Sequence, residues 1–355
     1  MKILQITNKV PFPPLEGGSI AMNMITQGLI KAGHEVSVLA MNTSKNNIEI
    51  QSLPENYRKA TSLETVFVDN RVKIIPALFN LLFSKESYHV VRFISPLFEA
   101  KLKQILQKEK FDVVLLEMLY VTHYIPVIRE NSDAKIILRT HNIEHLIWER
   151  VAINSGFLKK KYLQILSYRL KKYEIEQFSK VDGIVAITDL DADFIKKHQT
   201  HLPVIDIPVA AESVAIYEDT KESEYPGLFH LGSMNWMPNI EGIKWFINNV
   251  WPMVQARFPG VKLYLAGRAM PEWLKNLNDE SIIVVGEVPD AAAFMKSKSI
   301  MIVPLLSGGG MRVKIIEGMQ HGKTIISTSI GAEGIDCEHE KNILSCNSVT
   351  SGFYV

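Results

Sequence analysis

The sequence predicts an α/β protein built from two doubly wound, Rossmann-like domains. Short β-branched runs alternate with longer amphipathic stretches, which is typical of parallel sheets with helices on both faces. This series of runs occurs twice along the chain. The 355 residues, 47% of them apolar, are enough for two separate cores.

The predicted strands are short, apolar and rich in β-branched residues. In the first half of the chain they are 2–7, 35–41, 65–69, 112–117, 134–140 and 182–188. In the second half they are 227–232, 261–266, 281–286, 299–304 and 323–328. Segments with helical periodicity lie between them, for instance 18–32, 97–109, 239–257 and 311–320.

The hinge is predicted at 201–226, a segment that breaks regular structure with Pro203, Pro208 and Pro226. It divides the chain into an N-terminal domain, 1–205, and a C-terminal domain, 206–355. In open α/β sheets a ligand lies beyond the carboxyl ends of the strands. The residues that follow each strand are therefore the first candidates for a site.

Charge is unevenly distributed, although the net charge is only +1. Residues 1–205 contain 27 Lys and Arg against 21 Asp and Glu, a balance of +6. Residues 206–355 contain 12 against 17, a balance of −5. The small net charge does not favour a nucleic-acid partner. The basic first half suggests an anionic partner, such as a phosphate group or an acidic membrane surface, although a solvated surface is the commoner meaning of such a bias.

Cysteine content and hydropathy bear on the cellular compartment. Cys337 and Cys346 form neither a disulfide framework nor a metal-ligand pattern, which fits a reducing cytosol. No apolar run approaches the ~18 residues that a membrane span needs, and the N-terminus has no signal-peptide core. The longest apolar run, 74–83, is too short to span and contains Pro76. We therefore predict a cytoplasmic protein, with peripheral contact to the inner face of the membrane as an alternative.

The loop 8–19 follows the first predicted strand and precedes a helix. Gly17 and Gly18 lack side chains, so backbone N–H groups at the helix start can approach an anion closely. The spacing differs from the dinucleotide-binding fingerprint, and the next strand ends at Asn42 without an acidic residue for a ribose. An anion site and a plain helix-capping turn both stay open as interpretations.

The loop 306–317 carries the most informative pattern. An apolar strand runs into three glycines and then a helix, which combines close backbone approach with the positive potential of a helix start. Arg312 and Lys314 add positive charge, and Glu317 lies one turn beyond Lys314. This set suits a nucleoside diphosphate, with phosphates on the backbone and cations and ribose hydroxyls on the carboxylate. A Walker loop is excluded because its Gly-Lys-Ser/Thr is absent, and a solvated charged helix is the alternative.

His141 follows the strand predicted at 134–140 and can therefore reach the carboxyl edge of the sheet. The run His141-Asn-Ile-Glu-His145 also matches the His-x-x-Glu-His pattern of one class of zinc peptidases. That site needs both histidines on one helix, whereas His141 falls at the strand exit. We therefore predict no zinc at His141 and His145, and a histidine that only caps the strand or helix is the alternative to a functional one.

Small-residue loops end the other predicted strands of the second half, at 229–242, 265–268 and 285–290. Because all of these loops follow the carboxyl ends of their strands, they favour a ligand site at that edge of the sheet over ordinary turns. The segment 157–178 is different, because it interleaves six Lys and Arg with apolar residues at helical spacing. This pattern favours a solvated helix face, and a helix that lies on an anionic membrane surface is the alternative.

Together these motifs resemble the retaining glycosyltransferases of the large family numbered 4. That family has the GT-B fold, in which two Rossmann-like domains face each other across a cleft. The resemblance covers most of residues 1–335, and the second-half series is specific in order and spacing. The matching positions are 2–4, 11–13 with Gly17 and Gly18, 140–142, Tyr173 and Glu174, 231–239, 265–267, 286–288, and 304–317 followed by Gly322.

The resemblance implies roles for individual residues. Gly17 and Gly18 would lie near the donor phosphates and the acceptor, and His141 near the transferred sugar. Glu317 would hold the ribose, and it is with His141 a candidate catalytic residue. The donor site implied in this way, from nucleobase to transferred sugar, consists of Gly17, Gly18, Ser233, Arg268, Glu287, Val288, Gly309, Gly310, Met311, Arg312, Lys314 and Glu317.

Three departures from the family pattern stand out. Gly309 occupies a position where the family often has a glutamate, eight residues before Glu317. Residues 233–239 replace the usual Arg and Lys after the strand 227–232, so Arg268, Arg312 or Lys314 would have to hold the diphosphate. The chain also ends at Val355, earlier than the relatives, which reads as a short or altered C-terminal end.

The sequence thus predicts a retaining, hexosyltransferase-like enzyme of the cytoplasm. It would move a sugar from a UDP- or GDP-linked donor to a saccharide or lipid-linked acceptor in polysaccharide biosynthesis. No metal and no cofactor are expected, because protein dipoles and cations can take the charge of the leaving diphosphate. A sugar-nucleotide epimerase of the same fold and a non-catalytic subunit that binds nucleotide sugar are the alternatives.

Overall fold

The computed structural model describes residues 1–153, 155–209 and 224–347. The chain forms two compact units, Met1–Val209 and Ala210–Val355. Most of the hinge predicted at 201–226 falls at 210–223, outside the described residues. The last eight residues of the C-terminal end predicted to be short, 348–355, also lie outside them.

The first unit is built on a parallel sheet of seven strands in the order β3-β2-β1-β4-β5-β6-β7. The strands are β1 (Lys2–Thr7), β2 (Glu35–Thr43), β3 (Glu64–Val68), β4 (Val113–Glu117), β5 (Lys135–Thr140), β6 (Gly183–Ala186) and β7 (Val204–Asp206). The helices are α1 (Gly17–Lys31), α2 (Glu55–Ala60), α3 (Ile74–Phe83), α4 (Tyr88–Val91), α5 (Pro96–Lys108), α6 (Ile125–Asn131), α7 (Glu144–Ile153), α8 (Phe157–Phe178) and α9 (Asp189–His198). Short 3₁₀ turns occur at Ile50–Ser52 and Leu119–Tyr124.

The second unit has a parallel sheet of six strands in the order β10-β9-β8-β11-β12-β13. The strands are β8 (Glu224–Leu231), β9 (Lys262–Ala266), β10 (Ile282–Gly286), β11 (Lys298–Val303), β12 (Thr324–Ser327) and β13 (Leu344–Ser345). The helices are α10 (Met237–Trp245), α11 (Trp251–Arg257), α12 (Glu272–Lys275), α13 (Ala291–Lys296), α14 (Val313–Gln320) and α15 (Ser329–Ala332).

Each sheet has a core on both faces, because successive side chains of a strand point in opposite directions. In β2, Leu39 and Met41 join the larger cluster of the first unit, whereas Val38 and Ala40 join the cluster on the other face. In β11 of the second unit, Ile302 likewise lies in one cluster, whereas its neighbours Met301 and Val303 lie in the cluster on the other face. This two-sided burial gives the predicted doubly wound architecture.

All eleven predicted strands are present, with ends shifted by up to three residues. Two strands were missed, β7 and β13, because two or three residues at a sheet edge are too few to show an apolar alternation. The helix predicted at 239–257 is divided, since a π-helical segment at Phe246–Val250 separates α10 from α11. Pro252 in the first turn of α11 lacks a backbone N–H, and the extra residue in the turn accommodates it.

Candidate functional site

The strand order reverses beside the first strand of each unit. β1 lies between β2 and β4, and β8 lies between β9 and β11. In doubly wound sheets this reversal opens a crevice at the carboxyl ends of the two central strands, where ligands bind. In each unit, candidate residues follow these strands.

In the second unit, the loop after β11 is shaped by its glycines. Gly308 has φ 119° and Gly310 has φ 67°, backbone conformations that favour glycine. The buried guanidinium of Arg312 donates hydrogen bonds to the carbonyl oxygens of Gly309 and Gly310. It also lies 5.5 Å from the ring centroid of Trp236. Arg312 therefore fixes the glycine loop from within.

Lys314, in the first turn of α14, reaches across to the end of β8. A Cβ atom on Gly232 would lie 2.5 Å from its Nζ, so the missing side chain makes room for the ammonium group. The Nζ donates to Oδ1 of Asn239 at 3.2 Å, and the Asn239 amide donates to the carbonyl of Ser233 at 2.8 Å. Lys314 thus places a cation at the crevice between the two central strands.

The pKa of Lys314 is lowered to about 7 by burial and by the nearby charge of Arg312, with Glu317 opposing the shift. Charge on this ammonium group is therefore costly while no ligand anion is bound beside it. A bound anion would stabilise the charged form. This is the electrostatic property expected of a site for a diphosphate.

His230 is a fully buried polar residue of β8 beside the same group. Its Nδ1 donates to the carbonyl of Ile302 at 3.0 Å, so the neutral ring presents the lone pair of Nε2. That Nε2 has no hydrogen-bond partner among the described residues, and a Cβ on Gly232 would lie 3.0 Å from it. Burial and the charge of Lys314 hold the pKa of His230 well below its usual value.

Glu317 lies one turn after Lys314 on α14. Its half-buried carboxylate makes no hydrogen bond or ion pair with the described part of the chain. Burial raises its pKa, and the charge of Lys314 opposes this shift. The alternative that Glu317 serves only as a surface ion-pair partner of Lys314 is therefore not supported by a direct contact. Its carboxylate is available to accept hydrogen bonds from a ligand.

The other predicted donor-site residues of the second unit lie on strand-end loops. Ser233 is half-buried and donates to Oδ1 of Asn235 at 2.9 Å. Arg268 follows β9, and its carbonyl accepts from the Met234 amide at 2.8 Å. The remaining residues of this set differ in exposure: Glu287 is exposed, while Val288 and Met311 are half-buried.

In the first unit, Gly17 and Gly18 open α1 as predicted. The Oγ of Ser19 accepts from the Glu16 amide at 3.0 Å and caps the helix start. A Cβ on Gly18 would lie 3.4 Å from the Nζ of Lys9, which also pairs with the Glu16 carboxylate at 3.5 Å. Lys9 therefore adds a positive charge to this helix start.

His141 directly follows β5, and its ring is nearly buried. Its Nε2 lies 2.7 Å from Oε2 of Glu117, the fully buried last residue of β4. A carboxylate can only accept, so Nε2 carries the proton. Burial lowers the pKa of His141, which keeps the ring neutral and leaves the lone pair on Nδ1. That Nδ1 forms no hydrogen bond with the described residues.

Glu117 holds more than His141. Arg139 of β5 donates to its Oε2 at 3.2 Å, and Gln5 of β1 donates to its Oε1 at 3.0 Å. Burial alone would raise the pKa of Glu117, but the Arg139 charge and the His141 hydrogen bond hold it below its usual value. Arg139 in turn donates to the carbonyl of Ala21 in α1 at 3.1 Å. This network ties β1, β4, β5 and α1 together beneath His141.

His145 belongs to a different network. Its Nδ1 lies 2.6 Å from Oε2 of Glu174 in α8. The two carboxylate oxygens of Glu174 also accept from the backbone amides of Glu144 and His145, which caps the start of α7. The imidazoles of His141 and His145 thus serve separate carboxylates. In 1–153, 155–209 and 224–347, no group of three or more His, Cys, Asp and Glu is placed to hold a metal ion.

Sequence reasoning missed four residues at these edges: Lys9, Glu117, His230 and Asn239. Glu117 and His230 share a pattern that could have found them, because each is a polar residue near the carboxyl end of an otherwise apolar strand. Such a residue is buried by its position, so it needs a specific partner. Lys9 and Asn239 have no comparable pattern, since their positions depend on loop geometry.

A family model described as Glycosyltransferase Family 4 matches residues 16–208, more than half of the chain. The chain belongs to this family of glycosyltransferases. A second model, described as Glycosyl transferases group 1, matches residues 225–351 of the glycosyltransferase. A relative from Klebsiella pneumoniae, named as an uncharacterized 44.6 kDa protein in the cps region, is 26% identical over 364 residues. That match covers 98% of this chain and 87% of the relative.

Solved structures similar to the glycosyltransferase confirm the predicted two-domain GT-B fold. TarM of S. aureus, in complex with fondaparinux, α-GlcNAc-glycerol and UDP, has a TM-score of 0.62 at 12% identity, over 98% of this chain and 90% of that one. Anabaena HepE with UDP has a TM-score of 0.62 at 12% identity, over 99% and 88%. The pneumococcal O-GlcNAc transferase GtfA with UDP and GlcNAc has a TM-score of 0.61 at 10% identity, over 93% and 84%.

Proposed function

We propose that this glycosyltransferase moves a sugar from a UDP- or GDP-linked donor to a saccharide or lipid-linked acceptor, with retention at the anomeric carbon and without a metal ion. The observation that carries the proposal is the group at the carboxyl ends of β8 and β11. There a glycine loop is followed by a cation of low pKa and by a carboxylate that makes no hydrogen bond or ion pair within the described part of the chain.

The donor would use these groups in a fixed order. Lys314 and the open N-terminus of α14 suit the diphosphate, because a cation and a helix start both attract negative charge. Arg312 would act indirectly, since its guanidinium holds the glycine loop. Glu317, one turn after Lys314, would accept hydrogen bonds from the ribose hydroxyls. Glu287 and Val288, at the end of β10, would line the nucleobase.

The leaving group of the reaction is a nucleoside diphosphate, so negative charge develops as the sugar–phosphate bond breaks. Lys314 and the helix start are fixed before this happens, which is the condition for electrostatic catalysis. His141 would use the lone pair of Nδ1 to accept a hydrogen bond from a hydroxyl of the transferred sugar. Retention is inferred from the family resemblance alone.

The acceptor belongs to the first unit in this proposal. Lys9, Gly17 and Gly18 form a positive helix start that suits an acceptor or donor carrying phosphate. The relative named for the cps region supports a role in assembling a surface polysaccharide. We therefore propose a cytoplasmic enzyme that works at the inner face of the membrane. No helix within 1–153, 155–209 and 224–347 is long and apolar enough to cross a membrane.

A transfer assay with a panel of UDP- and GDP-sugars tests the proposal. We expect one donor to be consumed only when an acceptor is present, with product of the same anomeric configuration by NMR and no loss of rate in EDTA. Turnover of the nucleotide sugar without any acceptor would indicate an epimerase instead. Tight binding without turnover across saccharide and lipid-linked acceptors would indicate a non-catalytic subunit.

Glu317→Ala is expected to weaken binding of the preferred nucleotide by roughly ten- to a hundredfold, because a hydrogen bond to an ionised group contributes about 1.5–3 kcal/mol. Affinity for the nucleoside should fall as much as affinity for the diphosphate, and thermal stability should be unchanged. Calorimetric titration is the measurement. The control is Glu272→Ala, which removes an exposed carboxylate that pairs with Lys275 of its own helix at 2.8 Å. Parent-like affinity of Glu317→Ala would rule out the ribose contact.

Nucleotide-sugar binding is expected to weaken as the pH rises above about 7, because Lys314 has a pKa of about 7 and the diphosphate binds its charged form. The dissociation constant should increase up to about tenfold per pH unit until the pKa of the complex is reached. Titrations over this range measure the slope. Lys314→Arg provides the control, since a guanidinium stays charged and should remove the slope. An equal slope in both proteins would assign the titration to another group.

A further inference from the structure

Helix α3 exposes an unusual amount of apolar surface. Most of its ten residues are large and apolar, and its outer side chains are 52–78% exposed: Ile74, Ile75, Leu78, Phe79, Leu82 and Phe83. The rings of Phe79 and Phe83 lie 5.7 Å apart, one turn from each other. Exposed apolar groups concentrated in this way on a soluble unit mark a surface that binds something.

This helix is held firmly in place. Ala77 packs with Tyr88 and Leu166 in a buried cluster, which fixes the inner face of α3 against α8. The guanidinium of Arg169 donates to the carbonyl oxygens of Asn80 and Leu81 at 3.1 and 2.9 Å, which satisfies the end of α3. The apolar face is therefore displayed by a fixed scaffold.

The scaffold helix α8 is strongly basic where it supports α3. Residues 157–172 contain six Lys and Arg and no Asp or Glu. Lys159, Lys161 and Lys172 are exposed. Two large side chains of the same helix, Leu158 at 83% and Tyr168 at 71%, are exposed as well. Apolar and cationic groups thus occupy one region of the first unit.

This combination distinguishes a bilayer from a protein partner. Protein–protein interfaces are depleted in lysine, whereas interfacial membrane helices combine apolar side chains with Lys and Arg that contact anionic headgroups. A helix of ten residues is about 15 Å long, too short to cross a hydrocarbon core of about 30 Å. It is long enough to lie along the surface.

We propose that α3 is an interfacial anchor, buried in the headgroup region of an anionic phospholipid bilayer, and that the exposed lysines of α8 bind the headgroups beside it. Helix α3 supplies the apolar contact with the lipid, and helix α8 supplies the positive charge. Lipid binding by α3 and α8 is a separate property from the transfer reaction.

Sedimentation of the full chain with phosphatidylglycerol/phosphatidylcholine vesicles tests this inference. We expect Leu78→Asp/Leu82→Asp to bind at least about tenfold more weakly than the parent. The matched control is Leu190→Asp/Leu97→Asp, two leucines outside α3 and α8 whose exposures, 54% and 71%, equal those of Leu78 and Leu82 to within two per cent. Lys159→Gln/Lys161→Gln/Lys172→Gln should also weaken binding, and high salt should remove this difference.

Three results would overturn the inference. The first is that the parent does not bind the anionic vesicles, and the second is that the control and α3 variants lose vesicle binding equally. The third is a parent dimer in light scattering that Leu78→Asp/Leu82→Asp dissociates while vesicle binding is unchanged. Circular dichroism and thermal melts of each variant separate loss of binding from loss of fold. The rate of transfer to a soluble acceptor without vesicles should be the same in the parent and the α3 variant. Loss of membrane binding can therefore be distinguished from loss of the proposed reaction.

Discussion

Replacing Lys314 by methionine is expected to lower kcat/KM for the nucleotide sugar about 100- to 1000-fold, the loss typical of removing one fixed group that stabilises transition-state charge. Methionine keeps the length and the apolar stem of the side chain, so the change is confined to the cation. In the parent, the Nζ of Lys314 lies 2.5 Å from the position that a Cβ atom on Gly232 would occupy. Steady-state kinetics with the preferred donor measure the effect.

Thermal stability separates this role from a structural one. The unfolded chain keeps Lys314 protonated near neutral pH, whereas burial disfavours the charged form in the folded chain. Because the unfolded state then binds more protons, burial of Lys314 destabilises the folded chain at low pH. This destabilisation decreases as the pH rises above about 7. Lys314→Met should therefore melt at the parent temperature or above it. A variant with parent-like kinetics, or one whose lost activity follows a lowered melting temperature, would contradict the role.

Glu117→Gln is expected to destabilise the first unit by roughly 3–5 kcal/mol, because it leaves the buried guanidinium of Arg139 without a counter-charge. For a unit of this size that corresponds to a drop of about 6–20 °C in Tm. Glutamine preserves the shape and the hydrogen bond from Gln5, so the loss reports the charge. Calorimetry or circular dichroism measures the transition.

Two further variants make this result specific. Glu130→Gln removes an exposed carboxylate of α6 and should shift stability by less than about 0.5 kcal/mol. Glu117→Gln/Arg139→Met removes both buried charges and should recover part of the loss. A Glu117→Gln protein that melts with the parent would show that Arg139 finds its compensation elsewhere.

The architecture could be predicted because it depends on patterns that repeat. An apolar strand such as β4, followed by an amphipathic helix and another apolar strand, specifies a parallel sheet wherever it occurs. The strands that escaped prediction, β7 and β13, carry too few residues to show a pattern. Their positions follow from pairing with β6 and β12, which is a tertiary effect.

The site could be predicted only in part. Lys314 and Glu317 could be proposed as candidates because a glycine loop directly precedes them in the chain. Asn239 meets Lys314 across 75 positions of sequence, a contact that no local pattern contains. The Glu117–His141 contact likewise joins the ends of two adjacent strands, and the sequence shows only that each residue ends a strand.

Nucleotide binding at the carboxyl ends of β8 and β11 is the step on which donor recognition and sugar transfer both depend. Calorimetric titration of the full chain with UDP and with GDP, for the parent and for Lys314→Met, measures it. We predict that one of the two nucleotides binds the parent with one site per chain and binds Lys314→Met roughly ten- to a hundredfold more weakly, the loss expected for one hydrogen bond to a charged group. A folded parent chain that binds neither nucleotide, or a Lys314→Met variant that binds as tightly as the parent, would contradict the account.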